Sequence, residues 1–140
     1  EFGPRAASCP PPVAPPGTID GSSAALCWSG DWTTEQFAEA IEGTITHSNH
    51  EDATVEVAFE GSALTYVYTR AYNRGMASIT IDGTPCGVID LYSPVVGWHA
   101  STVFRGLGPG RHKALLRVLG RHSALASDSI VDVDAFVIAR

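Results

Sequence analysis

The stretch that most restricts the fold of this chain is residues 74–93, which read RGMASITIDGTPCGVIDLYS. Apolar side chains recur at every second position before an Asp-Gly turn at residues 82–83, and a second apolar run, 88–91, follows it. This pattern predicts a β-hairpin with one face on a core. An isolated two-stranded ribbon is only marginally stable in water, so the rest of the chain must supply the sheet that covers it.

The remainder of the sequence contains further short β-rich runs separated by turn residues. These runs are residues 24–29, 43–48, 53–60, 64–70, 101–104, 112–119 and 129–139. Together with the hairpin they make about eight or nine strands, with no alternation of strands and helices. The pattern predicts an all-β sandwich or barrel.

Residues 33–42 are ambiguous. Thr33 and Gln36 have the spacing of a capping box, and Phe37, Ala40 and Ile41 fall at helical spacing. Because the surrounding sequence is β-rich, we expect an irregular loop with at most one helical turn.

Composition divides the chain into a tail and one domain. Residues 1–17 hold six of the nine prolines, which predicts an extended linker, or alternatively an ordered tail on the domain, while residues 18–140 form the β-sandwich module. No charged-then-apolar leader begins the sequence, so we expect a mature or excised piece. A net charge of −6 disfavours nucleic acid as a partner, and no apolar run approaches the ~20 residues of a membrane span.

Three cysteines, Cys9, Cys27 and Cys86, match no metal-binding spacing and allow at most one bridge within the chain. Cys27 lies in a strand-like run and is expected to be a small buried hydrophobe. The predicted pair is Cys9 with Cys86.

Two aspartates near the C-terminus, Asp132 and Asp134, lie two positions apart in the sequence VDVDAF. On one strand both carboxylates would point the same way, which suits oxygen ligands for calcium, with Asp20 as a third donor. The alternative is that one aspartate is exposed and the other is hydrogen-bonded to a neighbouring loop.

No common catalytic motif is present in the sequence, including the nucleophile elbow, HExxH and phosphate-binding loops. His47 and His50 lie where a strand meets a turn, so a solvated turn explains them better than a metal site. We therefore expect no enzymatic activity.

Aromatic residues provide the main functional signal. Tyr72, Tyr92 and Trp98 fall at predicted strand ends or loops, where an exposed ring can cover the C–H face of a sugar. Arg70, Asn73 and Arg74 precede the hairpin and could donate hydrogen bonds to hydroxyl or carboxylate groups. Four other aromatic residues are expected in the core: Trp28, Trp32, Tyr66 and Tyr68.

A series of short motifs occurs in a familiar order. They are Trp28-Ser29-Gly30-Asp31-Trp32, Gly43-Thr44, Ala53-Thr54-Val55, Arg74-Gly75, Ile81-Asp82-Gly83, Asp90-Leu91-Tyr92-Ser93, Pro109-Gly110-Arg111-His112 and Val131-Asp132-Val133-Asp134-Ala135-Phe136. In this order they resemble the galactose-binding-like jelly-roll modules of secreted bacterial glycoside hydrolases, polysaccharide lyases and surface proteins. The resemblance covers roughly residues 19–138.

The resemblance implies an antiparallel two-sheet β-sandwich, a jelly roll, often with a structural calcium near the chain ends. It implies a non-catalytic carbohydrate-binding module that is secreted or on the cell surface and targets an attached catalytic or surface domain to polysaccharide. Ligands of these modules are held by variable loops, so no binding residue transfers by motif. The alternative is a structural or protein-interaction domain that binds no sugar.

Overall fold

The computed structural model of the chain describes residues 12–140. Within that range the chain forms thirteen strands and one short 3₁₀ helix, Ile41–Gly43. The strands are β1 (Val13–Ala14), β2 (Gly17–Asp20), β3 (Cys27–Ser29), β4 (Thr33–Gln36), β5 (Thr44–Ser48), β6 (Thr54–Glu60), β7 (Ala63–Arg70), β8 (Met76–Ile81), β9 (Thr84–Asp90), β10 (Gly97–Phe104), β11 (Arg111–Val118), β12 (Val131–Val133) and β13 (Ala135–Ala139). A helix able to span a membrane is absent from residues 12–140.

Six strands form the first sheet, in the order β1, β6, β11, β8 and β9, with β3 also paired to β6. Its pairs are antiparallel except for the parallel pair β1–β6. In β6 the predicted alternation holds at Val55, Val57 and Phe59, which are all buried. The centre of this sheet therefore presents one apolar face to the core.

The second layer consists of a four-stranded sheet, β10-β7-β13-β2, and a three-stranded sheet, β12-β5-β4. They meet at Asp134, since β12 ends at Val133 and β13 begins at Ala135. The Asp134 N–H donates to the Val67 carbonyl of β7 at 2.9 Å, which holds the junction. The predicted all-β sandwich is confirmed, with one of its layers divided at Asp134.

Side chains of both layers meet in one core. Phe59 of the first layer and Tyr66 and Phe136 of the second are almost completely buried, and Tyr66 stacks on Phe136 with ring centroids 5.6 Å apart. The four aromatic residues predicted to lie in the core are all buried: Trp28, Trp32, Tyr66 and Tyr68.

The predicted hairpin is present as β8 and β9, but only β8 buries an apolar face. Asp82 and Gly83 have φ of +52° and +80°, as a tight two-residue hairpin turn requires. Strand β9 is the outer strand of its sheet and is exposed along most of its length. Its contribution to the core is the partly buried Ile89, and the buried Leu91 lies just beyond the strand.

Three segments depart from the sequence predictions. Residues 33–42, expected as a loop, contain β4, whose exposed polar sequence TTEQ carries no apolar alternation. The segment expected to be a linker or an ordered tail contributes the unpredicted strand β1, because Val13 and Ala14 pair with the edge of β6, while residues 1–11 lie outside the described residues. The expected single strand 129–139 is two strands in different sheets.

The cysteines also differ from expectation. Cys86 is an exposed free cysteine on the outer strand β9, so the predicted Cys9–Cys86 bridge is wrong. Cys27, expected to be a simple buried hydrophobe, is disulfide-bonded. Cys9 lies outside the described residues.

Candidate functional site

A cleft of about 270 Å³ opens at the end of the sandwich where β7 finishes and β10 begins. Loop residues 71–74, between β7 and β8, form one side, and Val96 and Trp98 form another. Phe37 and Ile45 come from the segment between β4 and β5 and from β5 itself. Four of the six residues predicted to bind ligand line this cleft: Tyr72, Asn73, Arg74 and Trp98.

The aromatic residues of the cleft stand partly in solvent. Trp98 is half-buried and packs on Phe37, with ring centroids 5.5 Å apart and planes inclined by 48°. Tyr72 is 55% exposed. Because Phe37 supports the indole from one side, Trp98 is held in place while part of its surface stays accessible.

A buried ion pair anchors the loop. Arg74 Nε donates to Asp132 Oδ1 at 3.0 Å, and Asp132 is fully buried. The Thr69 backbone N–H donates to both oxygens of the same carboxylate, at 3.1 and 3.0 Å. Burial raises the pKa of Asp132, while the Arg74 charge and these hydrogen bonds oppose the shift. The ion pair therefore fixes the guanidinium in the cleft wall.

Asn73 is tied to the same group. Its side-chain oxygen accepts a hydrogen bond from Arg74 Nη1 at 2.7 Å. This bond assigns the amide orientation, and the Asn73 NH₂ group has no acceptor in residues 12–140.

Arg70 and Tyr92, the other two predicted ligand-binding residues, do not line the cleft. Arg70 Nη2 donates to the Tyr92 carbonyl at 2.7 Å, and the Tyr92 N–H donates to Asp90 Oδ1 at 3.0 Å. Tyr92 also forms a parallel bridge with Ala71, a cleft residue. The structure thus places this pair beside the cleft, where it braces the loop.

The three aspartates considered as calcium ligands are engaged separately. Asp132 holds Arg74, and Asp20 Oδ2 accepts hydrogen bonds from the Ser22 N–H and the Ser22 and Thr44 hydroxyls. The alternative of one exposed aspartate is wrong, because Asp132 and Asp134 are both fully buried.

Asp134 is the least satisfied of the three. Its Oδ1 accepts from the Ile41 N–H at 2.8 Å, whereas Oδ2 is buried without a hydrogen-bond partner in residues 12–140, 3.9 Å from His99 Nε2. Burial raises the pKa of Asp134 to about 6. Residues 12–140 contain no cluster of three or more His, Cys, Asp or Glu side chains that could hold a metal ion. The three carboxylates are engaged separately and do not converge on one donor set, so the structure gives no support to the calcium site that the sequence suggested.

Two residues central to the cleft were not predicted from sequence. In the sequence Thr69 has the pattern of an ordinary strand residue. Because successive residues of a strand point to opposite faces, Thr69 lies on the opposite face of β7 from Tyr68. Phe37 was noted only for its helical spacing. Of the two, only Phe37 could have been predicted from sequence, because it is an aromatic residue in a largely polar segment.

A larger cavity, about 650 Å³, lies at the opposite end of β7, beside Pro15, Glu60, Pro109 and Arg140. Its described lining contains no aromatic residue. The backbone N–H groups of Gly61 and Ser62 there already donate to other parts of the chain. Despite its size, this cavity is the weaker candidate for recognising a polar ligand.

No protein-family model matches the chain. Over 103 residues it is 30% identical to an A type blood N-acetyl-alpha-D-galactosamine deacetylase of Flavonifractor plautii, covering 74% of this chain and 13% of that protein. Over 65 residues it is 32% identical to an A type blood alpha-D-galactosamine galactosaminidase of the same organism, covering 46% of this chain and 6% of that protein. The chain thus spans a small part of each relative.

Solved structures identify the fold. A family 35 carbohydrate-binding module from Clostridium thermocellum superimposes with a TM-score of 0.60 at 13% identity, covering 88% of this chain and 98% of the module. A Paenibacillus xanthan lyase gives a TM-score of 0.70 at 16% identity, covering 92% of this chain and 14% of the lyase. The chain therefore shares the β-sandwich fold of this carbohydrate-binding module, in agreement with the fold that the sequence resemblance implied.

Proposed function

We propose that the chain is a non-catalytic carbohydrate-binding module whose ligand site is the cleft between Tyr72 and Trp98. The observation that carries the proposal is the composition of this cleft. Partly exposed aromatic rings stand beside the fixed polar side chains of Asn73 and Arg74. A sugar offers an apolar C–H face and hydroxyl edges, and this combination of groups suits both.

The size of the cleft supports recognition of a small part of a glycan. At about 270 Å³ it is just below the ~300–1,000 Å³ typical of sites for drug-sized ligands, so one sugar ring is the natural occupant. Weak binding suffices for targeting, because tethering to another domain raises the effective concentration of the site.

A binding role also agrees with the chemistry of the cleft. Its described lining includes no carboxylate and therefore no pair of acid and base for glycosidic cleavage. The match covers almost the whole of a carbohydrate-binding module but a minor part of each of the two Flavonifractor plautii enzymes. We infer an accessory domain of a longer secreted or cell-surface protein, directing a catalytic or surface domain to polysaccharide.

The alternative, a spacer or protein-interaction domain, has one observation in its favour. Val95 and Leu125 are apolar side chains that are 70% and 78% exposed. However, a surface without an exposed aromatic ring beside polar donors would distinguish that role, and Tyr72 next to Asn73 has the opposite character.

Affinity electrophoresis and titration calorimetry against a panel of neutral and acidic polysaccharides test the proposal. We expect retention by at least one glycan and a more than tenfold loss of affinity in Trp98→Ala. Val103→Ala is the matched control, since Val103 is an exposed residue of the same strand outside the cleft lining. Absence of binding to every glycan at millimolar site concentration would refute the function, and equal binding by the two variants would refute the cleft as its site.

A further inference from the structure

The hydrogen-bonding groups of the cleft are strongly biased towards donors. The backbone carbonyls of the loop residues Ala71, Tyr72 and Asn73 all accept hydrogen bonds from elsewhere in the chain. The Ala71 carbonyl accepts from the N–H groups of Arg74 at 3.3 Å and Ser93 at 3.0 Å. The Tyr72 carbonyl accepts from the Ser127 N–H at 2.9 Å, and the Asn73 carbonyl accepts from the Ile130 N–H at 3.3 Å. These three carbonyls are therefore already satisfied by donors of the chain itself.

The side chains of the loop show the same bias. The Asn73 amide oxygen accepts from Arg74 Nη1, and the amide NH₂ has no acceptor among the described residues. Arg74 uses Nε and one Nη1 hydrogen within the chain, and its other guanidinium N–H groups have no acceptor in residues 12–140. A ligand that fits here presents an acceptor to this corner of the cleft.

The Thr69 hydroxyl, in the wall of the cleft, is a further hydrogen-bonding group for an acceptor atom of the ligand. Its residue is 1% exposed and lines the cleft, and its hydroxyl is buried with no hydrogen-bond partner in residues 12–140. A buried hydroxyl without a partner costs free energy that a ligand atom can recover. The cleft thus lacks one hydrogen-bond partner at Thr69, next to the Asp132 carboxylate that holds Arg74.

Charge argues against an anionic acceptor. Arg74 is the sole charged residue among the described lining residues, and the buried Asp132 already neutralises it. A second buried carboxyl, Asp134, interacts electrostatically with Asp132. A ligand carboxylate would add an uncompensated negative charge to this region, whereas a neutral carbonyl oxygen would not.

The rest of the lining adds an apolar surface around the donors. Ile45 and Ala71 are buried apolar side chains, and Val96, 49% exposed, lies at the mouth. These groups suit a methyl group adjacent to the carbonyl. An acetamido substituent carries both a strong neutral acceptor and a methyl group on one sugar carbon.

We propose that the cleft recognises a 2-acetamido sugar in preference to the plain hexose or the uronic acid. This inference rests on the proposed sugar-binding function. In it, Asn73, Arg74 and Thr69 hydrogen-bond the acetamido carbonyl, Val96 and Ala71 contact its methyl group, and the sugar ring lies against Trp98.

The test is calorimetry, or saturation-transfer NMR for weak binding, with N-acetylgalactosamine and N-acetylglucosamine. The comparison ligands are galactose, glucose, their 2-amino sugars and their uronic acids. We expect an acetamido sugar to bind at least tenfold more tightly than its hexose, amino and uronic counterparts. Binding by no sugar defeats the proposed function itself. Equal or tighter binding of a hexose or uronate leaves that function intact and overturns this inference.

Variants assign the preference to the named groups. Thr69→Val should reduce acetamido binding to within a few fold of the hexose, while the matched variant Thr65→Val, on the same face of β7 outside the cleft, should keep the preference. Because Thr69 is buried, Asn73→Asp provides a second test at a less buried position. It replaces the free amide donor with a carboxylate, and we expect the same loss. An unchanged preference in Asn73→Asp or in folded Thr69→Val overturns the assignment.

Discussion

Arg74 and Asp132, 58 positions apart in the sequence, form a buried ion pair with Arg74 Nε 3.0 Å from Asp132 Oδ1. It joins the loop after β7 to β12, and an isolated bridge between Arg74 and Ile130 reinforces the same connection. Loop residues 71–74 are therefore fixed to the centre of the sandwich. This rigid attachment makes the cleft a preformed site.

Asp132→Asn tests the contribution of the ion pair. The substitution keeps the shape of the side chain but leaves a buried guanidinium without its counter-charge, which costs about 3–5 kcal/mol of unfolding free energy. Urea denaturation measures the loss. The control is Glu56→Gln, which breaks the more exposed Lys113–Glu56 pair at 3.9 Å and should cost less than about 1 kcal/mol. Equal costs for the two variants would contradict the structural role of the pair.

The Asp82–His112 contact predicts a pH dependence of stability. Hydrogen bonding to His112 lowers the pKa of Asp82 from 3.8, and hydrogen bonding to Asp82 raises the pKa of His112 from 6.5. The raised His112 pKa stabilises the fold below pH 6.5 and this contribution disappears as pH rises through the folded pKa. The lowered Asp82 pKa stabilises the fold above pH 3.8 and this contribution disappears as pH falls through the folded pKa.

The stabilisation is therefore greatest between about pH 4 and 6.5. Asp82→Asn should lower the unfolding free energy more at pH 5.5 than at pH 9, measured by urea denaturation at both values. Asp31→Asn, which removes an exposed contact with His50 at 3.8 Å, serves as the control and should show no such difference. A pH-independent effect of Asp82→Asn would rule out the linkage.

Gly75 and Gly97 offer a matched pair of substitutions near the cleft. A Cβ added at Gly75 would lie 2.6 Å from Ser129 Cα, whereas one at Gly97 would meet nothing nearer than Arg70 Cβ at 3.9 Å. Gly75→Ala must displace backbone and should cost about 1–3 kcal/mol. Gly97→Ala should change thermal stability little. A lower melting temperature for Gly97→Ala than for Gly75→Ala would contradict the close approach of residue 129 to residue 75.

Calcium binding is tested by thermal melts with millimolar calcium and with chelator. The aspartates Asp20, Asp132 and Asp134 hold separate hydrogen-bonding partners, so we expect little change in melting temperature. A ligand that binds the folded state raises stability in proportion to the logarithm of its concentration. A rise of several degrees with calcium, reversed by chelator, would establish a site that the separate carboxylates do not indicate.

The sequence predicted those parts of the fold whose strands alternate. The apolar residues Val55, Val57 and Phe59 predicted β6, because the side chains of a half-buried strand face the core at every second position. Strand β4 has no apolar residue, and β1 has only two residues between prolines, so neither carries that signal. The division between β12 and β13 at Asp134 depends on pairing with β5 and β7, which local sequence does not encode.

For the candidate site, sequence identified the residues that lie in loops. Tyr72, Asn73 and Arg74 were found because they interrupt a strand pattern with groups able to bind sugar. Arg74 was predicted to donate hydrogen bonds to a ligand, but its Nε donates to the buried Asp132, a contact between distant parts of the chain. Thr69 and Phe37 were missed because only the folded arrangement brings them to the cleft.

The most direct test of the account is an NMR titration of the ¹⁵N-labelled chain with the glycan or sugar that binds most tightly. We expect amide shift changes concentrated at residues 69–74 and 96–98, together with the Trp98 indole N–H. Residues 60–62 and 109–110, beside the larger cavity, should not change. Shift changes centred on that cavity, or the same changes in Trp98→Ala as in the unmodified chain, would contradict the assignment of the cleft as the glycan site.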